Sequence, residues 1–225
     1  HTGGIDHIPV HHSNEIAQSE SATGKQFARY WMHVAFLTVD GKKMSKSEGN
    51  FVTLQDIINK GYDPLVFRYL ALTSHYRSGL NFTWDTLHGT QKALFYLRGK
   101  IAEWGSKDCV PSGELMEEFK KRVNNDVNAP QALAFVWDIV NNKSLPNRLK
   151  KATILEFDKV LGLGLVNKVA DEITDKVLKL VQKREDLRKN KMWQAADQIR
   201  LEIIANGYDI EDTINGTRII KTGRS

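Results

Sequence analysis

The apolar pattern changes its period near Thr53, and that change limits the folds open to this chain. Upstream lie the glycine pair Gly3-Gly4, a helix expected over about residues 13–19, and the apolar run VAFLTV. The run has strand length and stops at the turn pair Asp40-Gly41, ahead of the basic stretch KKMSKSEGN. Downstream, helix signals take over. Thr53 with Asp56 three residues on has the form of a capping box, with Gly61 as a stop. Asp63-Pro64 is an N-cap and first-turn pair for LVFRYLALTSHY. A further helix from Trp84 to about Lys100 puts Leu87, Leu94 and Leu97 near one face. Pro111 and Gly113 mark a boundary, after which ELMEEFKKRV, a segment opened by Asn128-Ala129-Pro130-Gln131, and residues 151–161 read as three helices. Gly162 and Gly164 end the third.

The last region carries Ile173, Val177, Leu180, Val181, Leu187, Ala196, Ile199 and Ile203 as one apolar stripe. It predicts a single long helix over residues 172–205, closed by Asn206-Gly207. YDIEDTINGTRII then predicts a hairpin turning at Asn215-Gly216. The expected order is an α/β segment, a mostly helical region, and a small helix-plus-hairpin unit.

Composition excludes some functions and leaves others open. With 225 residues the chain can bury one good core. Apolar residues at 41% with no run of about 18 exclude a helical membrane span. A formal charge of +5 is compatible with a polyanionic partner without demanding one. The single cysteine, Cys109, cannot form an intrachain disulfide and fits a reducing, cytoplasmic setting. A chain that opens on His1 instead of Met reads as part of a longer protein.

KMSKS at residues 43–47 is the sharpest chemical signal. Lys43 and Lys46 on one loop can neutralise charge that develops on a departing pyrophosphate. Ser45 and Ser47 can bond phosphate oxygens, and Gly49 lets the loop flex. The bland alternative is a solvated basic loop. The opening stretch HTGGIDHIPVHHSNEIAQ adds glycines that let backbone approach a nucleotide, and Asp6, a carboxylate able to accept ribose hydroxyls. His11 and Glu15 stand four apart, so a helix points both the same way, as a divalent metal requires. Taken alone, HxxxE is more often a surface pair.

Together these segments resemble the cysteinyl-tRNA synthetases, a family of class I aminoacyl-tRNA synthetases. KMSKS is the class I signature, and HTGGID…HHSNEIAQ resembles that family's HGGG-D…HHENEIAQ. YWMHVAFLTVDGKKMSKS, LVFRYLALTSHYRSGLNFT, NNDVNAPQAL and the closing RKNKMWQAADQIRLEIIANGYDIEDTINGTR extend the likeness through the chain. Departures are small: IPVHHSNE stands for FPHHENE, and Glu48 follows KMSKS where leucine is usual.

The resemblance implies a remnant of a class I Rossmann-type catalytic domain over residues 1–34. It also implies a KMSKS and stem-contact region over 35–105, a helical bundle over 106–168 and an anticodon-binding domain over 169–225. In that family the residues matching His11 and Glu15 ligate zinc with two cysteines that lie upstream. Those matching His1, Gly4, Asp6 and Lys46 bind ATP, and Lys43 and Lys46 serve catalysis, with Mg2+ accompanying ATP. The implied protein is a cytoplasmic monomer that joins cysteine to tRNA-Cys. A chain lacking the upstream half is then expected to be inactive alone and to hold zinc weakly. Two other readings stay open here. One is a non-catalytic tRNA-binding module. The other is the related cysteine–aminosugar ligase of mycothiol synthesis, which residues 171–225 argue against.

Overall fold

The computed structural model describes residues 1–45, 47, 49–105, 109–166, 175–213 and 216–221. Lys46 lies outside them, and so do residues 172–174 of the expected stripe. The glycine-rich opening forms strand β1 (Thr2–Gly4), which pairs in parallel with β2 (Met32–Val34). Between them run a 3-10 turn (Ile5–His7), a π-helical turn (Ile8–His12) and helix α1 (Ser13–Thr23). Helix α1 stops where Gly24 takes φ 64°, a left-handed cap that glycine adopts without a Cβ penalty.

The run VAFLTV is not one strand. It breaks at Ala35-Phe36 into β2 and β3 (Leu37–Val39), which belong to different sheets. The break is hydrogen-bonded: Ala35 donates its N–H to the Tyr76 carbonyl at 2.8 Å, and the Phe36 carbonyl accepts from Leu80 at 3.2 Å. Strand β3 pairs antiparallel with β4 (Lys42–Lys43) and parallel with β5 (Leu80–Phe82). Asp40 and Gly41 turn the β3–β4 hairpin with φ 50° and 75°, as a tight two-residue turn needs.

The helical reading holds through the centre. Helix α2 (Leu54–Asn59) begins with the Thr53–Asp56 capping box, and α3 (Pro64–Leu72) with Asp63 accepting from the Leu65 N–H. Helix α4 (Trp84–Glu103) buries Leu87, Leu94 and Leu97 completely. Three more follow: α5 (Gly113–Asn124), α6 (Ala129–Asn141) and α7 (Asn147–Leu161). One apolar core runs from Val39 to Leu165 and joins the three-stranded sheet to all of these helices. Within it Phe119 of α5 stacks on Phe157 of α7 with centroids 4.0 Å apart.

The expected long C-terminal helix is instead a helical hairpin, α8 (Asp175–Lys189) and α9 (Trp193–Ala205). Lys191 takes φ 58°, and Met192 returns its N–H to the Leu187 carbonyl at 2.9 Å, which closes α8. Folding the stripe on itself lets Val177 and Val181 share a second core with Ile199 and Ile203. An unfolded stripe would leave those side chains in water. Strands β6 (Tyr208–Thr213) and β7 (Gly216–Lys221) form the hairpin in register Thr213↔Gly216. Gly216 is therefore part of β7, and Asn215 of the expected turn lies outside the described residues. Among the described residues no helix is long and apolar enough to cross a membrane.

Candidate functional site

The turn between β1 and α1 gathers the expected residues. Glu15, one turn into α1, sits between two imidazoles: His1 Nε2 lies 3.1 Å from its Oε2 and His11 Nε2 lies 3.5 Å from its Oε1. Two ligand atoms on one tetrahedral zinc, with bonds of about 2.0–2.2 Å, stand roughly 3.4 Å apart. The separation of His11 Nε2 and Glu15 Oε1 matches that spacing. His12 is buried, and its Nδ1 meets His33 Nε2 on β2 at 2.7 Å. Burial, reinforced by the facing His33, holds the His12 pKa below the ordinary histidine value, so its neutral ring is favoured. His1 and His12 also pack on Trp31, with centroids 4.8 and 5.1 Å away.

Close approach requires the glycine at Gly3, which faces the buried His12 ring, while Gly4 faces the movable carboxylate of exposed Asp6. A Cβ on Gly3 would lie 2.6 Å from His12 Cε1, and one on Gly4 would lie 2.4 Å from Asp6 Oδ1. The half-buried Gly4 and the exposed Asp6 thus meet next to the histidines.

The lysine loop leaves β4, where Lys43 is exposed. Met44 packs against the main core and anchors the loop's first residue. Asn50 then spans the loop: its Oδ1 accepts the Ser45 N–H at 2.8 Å and its Nδ2 donates to the Lys43 carbonyl at 3.0 Å. Ser45 Oγ and Ser47 Oγ are 2.6 Å apart. Lys46 itself lies outside the described residues.

Comparison with known proteins identifies the family. Residues 1–92 match the family model described as tRNA synthetases class I (C) catalytic domain. The chain is 48% identical over 222 residues to cysteine--tRNA ligase 1 of Burkholderia lata, covering 97% of this chain and 47% of that protein. It is 39% identical to the cysteine--tRNA ligase of Chlamydia pneumoniae (97% and 50%) and 33% identical to that of Treponema denticola (96% and 51%). The chain belongs to the cysteinyl-tRNA synthetase family.

It spans about half the length of the curated synthetases it matches. The catalytic-domain match ends inside α4, while the likeness to the ligases continues into the C-terminal helical hairpin. In this synthetase chain the residues after α3 that read HYR form a second polar cluster. Arg77 clamps Asp126 through Nε at 2.6 Å and Nη2 at 3.0 Å, and Tyr76 donates its hydroxyl to Asp126 Oδ1 at 2.5 Å. Those hydrogen bonds, Arg77 first, hold the Asp126 carboxyl down at about 2.

Sequence reasoning missed three of these groups. His33 lies 21 residues from His12, and Asp126 lies 49 from Arg77, so neither pairing has a local signal. Asn50 closes the loop from five residues beyond Ser45, a spacing that only the folded loop makes meaningful.

Proposed function

We propose that this chain is the C-terminal portion of a cysteine--tRNA ligase, which activates cysteine with ATP and transfers it to tRNA-Cys. The observation that carries the reading is the joining of His1, His11 and Glu15 in a chain that is 48% identical along 97% of its length to such a ligase. In the complete protein His11 and Glu15 would hold zinc together with ligands from the missing half. The ion would supply thiolate affinity, which distinguishes cysteine from its hydroxyl isostere where packing cannot. Gly4, Asp6 and His1 would form the adenosine side of the ATP site, with Mg2+ accompanying the phosphates. Lys43 and Lys46 would stabilise the charge of the leaving pyrophosphate. Residues 1–34 would then act in catalysis, 35–105 at the acceptor stem, 106–168 as a helical spacer and 169–225 at the anticodon. The ligase would work as a cytoplasmic monomer, and this chain alone would not aminoacylate.

RNA binding does not need the missing half. Trp193 opens α9 with 56% of its surface exposed, and the Arg188 guanidinium lies 5.8 Å from its ring centroid. An aromatic face and a cation so placed suit a stacked, unpaired base. Trp193 is a candidate anticodon contact on that ground. Arg218 and Lys221 are candidates from sequence, since their side chains lie outside the described ones.

Filter binding tests the proposal: tRNA-Cys and an anticodon-swapped version are titrated with the chain at two salt concentrations. Binding that weakens steeply with salt and prefers the native anticodon is expected. Equal affinity for both RNAs, or no binding, would reject an anticodon role for residues 169–225.

A further inference from the structure

We propose that Asp126 is a positioning residue: through Tyr76 and Arg77 it fixes the break between β2 and β3, and so sets the lysine hairpin against the β1–α1 turn. At Ala35-Phe36 the chain passes from one sheet to another. The connection between β1 and β2 carries His11 and Glu15, and β4 of the other sheet carries Lys43. Under the ligase reading, on which the catalytic use of this clamp rests, both groups serve one reaction. Their relative placement then depends on what holds the break.

Packing does not hold it. Val34, Ala35, Phe36 and Leu37, the whole junction, line a mostly apolar cavity of about 350 Å3. Hydrogen bonds hold it instead, and they come from the turn over residues 73–79 and the start of β5. Ala35 gives its N–H to the Tyr76 carbonyl at 2.8 Å, and Leu80 gives its N–H to the Phe36 carbonyl at 3.2 Å. Three consecutive side chains of that turn then reach a single residue between α5 and α6. His75 Nε2 meets the Asp126 carbonyl at 2.9 Å, Tyr76 donates to Oδ1 at 2.5 Å, and Arg77 donates to Oδ2 at 2.6 Å and to Oδ1 at 3.0 Å. A single exposed ion pair contributes little. A bidentate guanidinium with a hydroxyl and an imidazole on the same residue fixes an orientation.

The backbone at this point is strained. Asp126 takes φ 56° and Val127 φ 52°. A β-branched residue in the left-handed region is a genuine outlier, and it persists where its surroundings over-determine it. A turn that only reversed the chain would carry glycine here. Asp126 instead supplies a carboxylate that reaches 49 residues back to Arg77. Val127 lines the same cavity as Phe36, Tyr76 and Leu80. The strained pair therefore addresses the break twice, by hydrogen bonds and by an apolar side chain.

Hydrogen exchange of this chain tests the clamp. Asp126→Gly removes the carboxylate while relieving the left-handed backbone. The Ala35 and Leu80 amides should then exchange at least about fivefold faster, with α4 as protected as before. Unchanged exchange at both amides would overturn the proposal. The catalytic use is tested in a complete ligase carrying this segment, by cysteine-dependent pyrophosphate exchange. In Asp126→Gly and Asp126→Ala alike kcat should fall about tenfold, with KM for cysteine within about twofold, because misplacement acts on charge developed in the transition state. Asp126→Ala keeps a Cβ at a left-handed position and should melt below Asp126→Gly. A loss of rate that followed melting temperature would make the clamp structural only. Asp126→Asn, which retains acceptors for Tyr76 and Arg77, should recover part of the rate, and Val127→Gly, which leaves the carboxylate in place, should keep all of it. Full rate in Asp126→Gly would overturn the positioning role. An unaltered ligase without exchange activity would overturn the ligase reading instead, and the Ala35 amide would still decide whether Asp126 holds the break.

Discussion

The Ser45 N–H donates to Asn50 Oδ1 at 2.8 Å, and the same amide side chain returns a bond to the Lys43 carbonyl at 3.0 Å. One neutral side chain thus ties Lys43 and Ser45 to the far end of the lysine-rich segment. Asn50→Ala removes both bonds, each worth ~1 kcal/mol net. Hydrogen exchange at the Ser45 amide should then become at least about fivefold faster, since ~1 kcal/mol is a factor of that size. The amides of α3 and α4 should keep their protection. Unchanged exchange at Ser45 would mean that other contacts hold the loop.

Lys46 is assigned by its place in KMSKS and is tested in a complete ligase carrying this segment. Lys46→Ala should lower cysteine-dependent pyrophosphate exchange about a hundredfold, as expected for a contact made mainly in the transition state. Cysteine binding, measured separately by equilibrium dialysis, should change little. A drop in binding that accounts for the whole loss would make Lys46 a ground-state contact.

Arg184 is 2% exposed and pairs with Asp212 through two bonds, of 2.8 and 2.9 Å, that tie α8 to β6. Its substitution removes both bonds and the buried guanidinium, and leaves Asp212 with Arg188 at 3.0 Å. Arg184→Ala should destabilise the C-terminal unit by about 2 kcal/mol, less than for a fully buried pair because Asp212 meets solvent. Urea unfolding followed by hydrogen exchange of the α8, α9 and β6 amides reads this. A midpoint unmoved by the substitution would show that packing alone holds the hairpin.

Asp126 and Asp212 also set the acid limit. Arg77 and Tyr76 hold the first carboxyl at about 2, and Arg184 holds the second at about 2. Both lie below the unfolded value of about 3.9, so their stabilisation is complete above that pH. It is lost as pH falls from about 4 toward 2, where the folded carboxylates take up protons. Thermal melts at pH 7, 4, 3 and 2 should fall mainly across the last three. Asp126→Asn should flatten part of that slope, and an identical slope in the variant would remove Asp126 from the account.

Gly162 ends α7 at φ 64°, and a Cβ there would lie 3.0 Å from the Arg68 guanidinium. Arg68 Nε donates to the Leu161 carbonyl at 2.5 Å, so the guanidinium cannot retreat without uncapping the helix. Gly162→Ala should lower stability by about 1–2 kcal/mol in chemical denaturation. A neutral result would show that Arg68 has room to move.

The sequence by itself determined what is decided over a few residues. The Thr53–Asp56 box, the Asp63-Pro64 start, the Asp40-Gly41 turn and the four-residue step from His11 to Glu15 each close within one turn of chain. Their hydrogen bonds and steric limits need no distant partner, so their residues announce them. The proposed role of the lysine loop is likewise read from five consecutive side chains. Tertiary structure decided the rest. VAFLTV has one apolar run, but Tyr76 and Leu80 claim the backbone at its middle and divide it between two sheets. The C-terminal stripe is equally apolar along one helix or two, and the gain from burying Val181 with Ile199 selects the hairpin at a lysine that carries no turn signal. His12 meets His33 only because parallel pairing of β1 with β2 sets Gly3 beside His33. Contacts between residues far apart in the chain depend on which surfaces can be buried together, and local pattern holds no record of that choice.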